Sequence, residues 1–97
     1  MTRDAVLAWL ATRRPSPPET LRAHLVSRVH DVDAALPLHL ATLGRELLEA
    51  VTAAPERGRA LALDLLAADA FVTYAFEAQA ESDPAGLDML AQQAARR

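Results

Sequence analysis

From Pro55 to Glu81 the chain carries no helix breaker except Gly58, and this stretch limits what the molecule can be. A helix over that span runs about 39 Å at 1.5 Å per residue. Leu61, Leu65, Ala68, Val72 and Ala75 step along it by four, three, four and three, a heptad-like seam. Leu63, Leu66 and Phe71 lie on other faces, so apolar residues reach nearly all the way round. A helix of that kind must be covered on every side, and a domain of 97 residues has a radius of gyration of only about 13 Å. The helix is therefore expected to overhang its own domain or to be clasped by a second copy. A homodimer, or a complex with another protein, is the expected assembly.

The rest of the chain is helical by composition and by punctuation. Alanine occurs 22 times and leucine 16 times, against two Phe, one Tyr, one Trp and three Gly. That mixture favours helix over sheet, and an apolar fraction of 52% excludes disorder along the whole chain. Prolines at 15, 17, 18, 37, 55 and 84 mark the boundaries, since proline is tolerated in a first helical turn. Five helices are predicted, at about 3–13, 17–30, 37–53, 55–81 and 84–95. Thr2 is the expected N-cap of the first. Ser16-Pro17-Pro18-Glu19 reads as a capping box for the second, with Ser16 as N-cap. In the third, Leu36, Leu40, Leu43, Leu47 and Val51 recur at helical spacing, Leu48 widens the stripe, and Gly44 on its edge allows another helix to come close. Asp83-Pro84 starts the fifth, and Arg96 and Arg97 fray from its end. The predicted fold is a single all-α domain, a bundle of about five helices packed around one long central helix.

Composition excludes several function classes. Without cysteine there is no disulfide scaffold, thiol catalysis or thiolate metal site. Residues 1–14 hold too short an apolar core for a secretory signal. The most apolar stretch, 60–78, carries Asp64, Asp69 and Glu77. Two Asp at a bilayer centre cost about 5–7 kcal/mol, against about 2–4 kcal/mol returned by its Leu, Phe and Val residues. No membrane span is expected, and a cytoplasmic location is the default. Charge is uneven, with a net +3 over residues 1–30 and a net −6 over residues 31–97. Arg3, Arg13, Arg14, Arg22 and Arg28 could serve nucleic acid. Spread over thirty positions, they equally suit two ends of one fold, or two subunits, that complement each other. Nucleic acid is the lesser alternative.

Searches for catalytic motifs return nothing. Glycine at only 44, 58 and 86 rules out a phosphate-binding loop, and no Gly-x-Ser-x-Gly turn surrounds Ser16, Ser27 or Ser82. His24, His30 and His39 have no mutual spacing of three or four, so no two share a helix face as metal ligands would; all three read as solvated polar-face residues. No cofactor and no metal are expected.

Two polar constellations remain. Asp69, Thr73 and Glu77 are spaced i, i+4, i+8 among Leu65, Leu66, Val72 and Phe76. Carboxylates in such surroundings can shift upward in pKa or hold a hard cation. They can also be the wet side of the helix, or pair with Arg3, Arg22 or Arg28. His39, Thr42, Glu46 and Glu49 form a second row, read as a solvated face. Trp9 and Phe71, off their helices' main stripes, are either contact anchors or fillers of an irregular core. Taken together, the sequence predicts a non-catalytic helical dimerisation or protein-interaction module, such as a small regulatory or accessory subunit. Its interface would use Trp9, Leu61, Leu65, Phe71, Val72 and Phe76. The alternative is a ligand- or metal-binding bundle using Asp69, Thr73 and Glu77.

Overall fold

Among the described residues five α-helices follow one another: α1 (Arg3–Leu10), α2 (Glu19–Arg28), α3 (Leu36–Ala53), α4 (Arg59–Ser82) and α5 (Leu87–Ala95), the last preceded by a 3-10 turn at Pro84–Gly86. The computed structural model describes residues 1–54 and 58–95, and no strand occurs among them. The fold is thus an all-α bundle. Its principal contact is between α3 and α4, and α4 also packs against α2 and α5. The start of α4 predicted at Pro55, and the fraying at Arg96 and Arg97, lie outside the described residues.

Local chemistry explains most of the boundaries. Thr2 Oγ1 accepts a hydrogen bond from the Ala5 N–H at 3.2 Å, as an N-cap should. At α2 the predicted capping box does not form: Pro18 takes the N-cap position with extended backbone and no side-chain cap. Had Ser16 been the cap, Pro17 would be the first helical residue. The residue before a proline is driven away from helical angles, so the helix waits until Glu19. Helix α1 stops at Leu10, three residues early. There the Thr12 and Arg13 N–H groups turn to Trp9 and Leu10 carbonyls at 3.0 and 3.1 Å, and Thr12 Oγ1 donates to Trp9 O at 2.6 Å.

The core forms around Phe71, Leu40 and Val6, which are the largest fully buried side chains. Phe71, considered above as an interface anchor, is 0% exposed and therefore belongs to the core of the chain itself. The inner face of α4 is otherwise alanine, at positions 67, 68, 75 and 78. Small side chains there let α3 approach, and Gly44 lies directly against Ala68 and Val72. A Cβ on Gly44 would sit 2.7 Å from Val72 Cγ2, 3.1 Å from the Ala68 carbonyl oxygen and 3.3 Å from the Val72 nitrogen.

Two expectations about α4 change. The helix is about 36 Å long at 24 residues, while the molecule measures 39 × 29 × 24 Å. A helix of that length fits within the longest dimension of the molecule, so helix length alone demands no second copy. Nor is α4 covered all round: Leu65 is 49% and Leu66 56% exposed, and on α3 Leu48 is 42% exposed instead of widening the core stripe.

Gly44→Ala tests the α3–α4 contact. Helix propensity favours the change by about 1 kcal/mol, but the new methyl meets backbone, which cannot rotate away. We expect a net loss of about 1–3 kcal/mol by urea denaturation. Equal or greater stability would show that the helices have room to spare.

Candidate functional site

Helix α3 is joined to α4 by a short connection, so the two run antiparallel, and their outer faces form an open groove of about 470 Å³. Leu48 and Thr52 line it from α3, and Leu65 and Val72 from α4. Its floor is Ala41, Gly44 and Ala68, and Ala94 and Ala95 of α5 close one end. Arg45, Glu49 and Asp69 stand along it, with Arg45 Nε 3.8 Å from Glu49 Oε1. Of the predicted interface residues, Leu65 and Val72 lie here. Leu61 is half-buried, and Phe76 and Trp9 pack from the side against the core.

The carboxylate stripe does not converge. Asp69 is exposed on the groove, Thr73 is exposed, and Glu77 turns toward the first helix, where Arg13 Nη1 meets its Oε1 at 3.0 Å. Eight residues of helix separate Asp69 from Glu77 by about 12 Å along the axis. No group of three His, Asp or Glu side chains able to hold a metal occurs among the described residues.

Glu77 belongs instead to a clasp that the sequence concealed. Arg13 bridges Glu77 and Glu81, the latter at 2.8 Å, and its guanidinium lies 3.8 Å from the centre of the Trp9 ring. Trp9 Nε1 donates to Glu81 Oε1 at 3.1 Å, and its ring meets Tyr74 edge-on with centroids 6.3 Å apart. The off-stripe tryptophan is therefore engaged within its own chain. Hydrogen bonds from Arg13 and Trp9 hold the Glu81 carboxyl below its ordinary pKa. Arginine pairing with the carboxylate stripe does occur, at Glu77, but through Arg13. Arg28 makes a longer contact, 3.7 Å, with Asp64, which also sits 2.6 Å from His24 Nε2.

These contacts bring the basic first third of the chain against the acidic remainder. Arg3 is engaged differently: its Nε and Nη2 donate to the carbonyls of Val29 and Val26 at 3.0 and 3.1 Å, at the end of α2. Its N–H bonds Asp31, and Met1 exchanges backbone hydrogen bonds with Val32. Much of the charge that could have met nucleic acid is thus taken up inside the fold.

His39 overturns the reading of a solvated row on α3. It is 2% exposed, its Nε2 has no hydrogen-bond partner among the described residues, and its ring meets His30 edge-on at 5.0 Å. A signal was available: His39 stands one turn before Leu43 and two before Leu47, at the edge of the apolar stripe. Burial lowers its pKa, and His30 and the N-terminal ammonium lower it further, against Glu46.

Comparison of the chain with protein-family models, with curated proteins and with solved structures finds no match.

Two predictions follow from these contacts. The folded state holds His39 neutral below the pH at which the unfolded chain begins to bind that proton. Stability is therefore fully present above about pH 6.5 and declines as pH falls below it. In urea melts, His39→Leu should lose less stability than the parent between about pH 7 and 5; identical slopes would place the proton elsewhere. Arg13→Gln should shift the emission of Trp9, the sole tryptophan, to the red while far-UV helicity is kept. Unchanged emission would mean the clasp does not set the position of the ring.

Proposed function

We propose that this chain is a non-catalytic helical interaction module, suited to a small accessory or regulatory role, which pairs with a second copy of itself through the α3–α4 groove. The observation that carries the reading is the concentration of exposed leucine there. Leu48 and Leu65, one from each helix, both line the groove at 42% and 49% exposure, and Leu66, 56% exposed, follows Leu65 just outside the lining. Single exposed apolar residues are ordinary, but a cluster on a concave face is a feature of contact surfaces. The carboxylates of α4, spread along the helix, give no acid–base pair to compete with this reading.

Self-complementarity favours a second copy as the occupant. Because Gly44 lies against Ala68 and Val72, the antiparallel register sets Arg45 level with Asp69 and Leu48 level with Leu65. A two-fold axis parallel to the helix pair would then oppose Arg45 to the partner's Asp69 and Leu48 to the partner's Leu65. The symmetry repeats both contacts. An apolar centre flanked by opposite charges is the pattern of a specific interface.

The test is Leu65→Glu, at a half-exposed position where the helix itself should persist. Sedimentation equilibrium should show self-association weakened at least about tenfold, with unchanged far-UV circular dichroism. Arg45→Glu and Asp69→Arg should each weaken it, and the double variant should recover much of the loss. Unaltered association in folded Leu65→Glu would remove the groove from consideration.

A further inference from the structure

A second cavity, of about 240 Å³, opens between α1, α2 and α4. Leu7 and Leu10 of α1 and Leu25 and Val26 of α2 form apolar walls, and among the described residues no carboxylate lines it. The polar residues that line it are Arg14, Arg22, Ser16 and Tyr74.

These two arginines differ from the others of the basic third. Arg13 and Arg28 face carboxylates, and Arg3 is bonded to helix-end carbonyls. Neither Arg14 nor Arg22 has an ion-pair partner among the described residues. Arg14 is held at the cavity by its own Nη1, which donates to Arg13 O at 2.7 Å, Ala11 O at 3.0 Å and Ser16 Oγ at 3.4 Å. The remaining N–H groups of that guanidinium make no bond to the described residues. The Tyr74 hydroxyl likewise has no hydrogen-bond partner among them. Burial, and then Glu77, raise its pKa against the opposing effect of Arg13, so the phenol keeps its proton and can donate. In a chain of net charge −3, this is a local excess of positive charge beside apolar walls.

We propose that this cavity binds a small organic carboxylate. The apolar body lies against Leu7, Leu10, Leu25 and Val26, and the carboxylate is received by Arg14 and Arg22 with the Tyr74 hydroxyl as a further donor. Guanidinium groups match the planar, two-oxygen geometry of a carboxylate, and the walls select against an anion with no apolar part. The site is separate from the α3–α4 groove, and its occupancy does not depend on self-association.

The test is an NMR titration of the full chain with hexanoate, hexanamide and inorganic phosphate. Hexanoate should produce saturable shifts at the Tyr74 ring and the Leu25 methyls. Hexanamide and phosphate should each bind about tenfold or more weakly, since one lacks the charge and the other the apolar body. The Arg22 side chain is exposed and makes no hydrogen bond or ion pair with the described residues, so Arg22→Gln should keep the rest of the spectrum. It should weaken hexanoate about tenfold and leave hexanamide unchanged. Equal binding of hexanoate and hexanamide, phosphate binding as tightly as hexanoate, shifts that fail to saturate, or full hexanoate affinity in Arg22→Gln would each overturn the proposal.

Discussion

At Gly44 the missing Cβ lets the backbone of α3 come against the backbone of α4, where a methyl would lie 3.1 Å from the Ala68 carbonyl oxygen. The alanines of α4 extend that closeness along its inner face. On one side of the pair, Leu40, Leu43 and Leu47 meet Phe71, and Val6 and Leu25 from the first two helices join the same core. On the other side no helix lies over the pair among the described residues, apart from the end of α5. Helices drawn this close leave a shallow trough between them. Leu48 and Leu65 stand at its sides because the floor is made of residues too small to fill it. The groove is thus a consequence of the same contact that holds the fold together.

Electrostatics act mainly to fasten α1 and the α2–α3 connection onto that pair. Arg13, Trp9 and Glu81 tie the end of α1 to the last turns of α4, and Arg3 ties the start of α1 to the end of α2. Several of these groups are partly exposed, so each contributes modestly to stability. Their main effect is to fix where α1 lies. One group acts in the opposite sense: His39, buried beside His30 with no partner for Nε2 among the described residues, favours the neutral form, so protonating it costs stability.

How much of this was legible in the sequence depended on whether the signal was local. The helices of the bundle follow from periodicity and proline, and the role of Gly44 follows from its place at the edge of the α3 stripe. Helix starts failed where two local rules competed, as at Pro17-Pro18, where the restriction on a pre-proline residue overrode the capping pattern. The exposure of Leu48 was not legible, because it depends on which side of α3 the other helices cover. Phe71 looked off-stripe because the seam was traced through Leu61, Leu65 and Val72, whereas the core face of α4 is centred on Ala67, Phe71 and Ala78. The Arg13 clasp joins residues more than sixty positions apart, and no spacing rule reaches that far. Of the proposed groove, Leu65, Val72 and Asp69 could be named in advance. Of its α3 half only Gly44 could.

The proposal that the groove is a self-association surface is tested most directly by the absolute mass of the unaltered chain, from size-exclusion chromatography with light scattering over a range of concentrations. The account predicts twice the chain mass of 10.5 kDa, declining toward one chain on dilution. A mass of one chain at every concentration would contradict it.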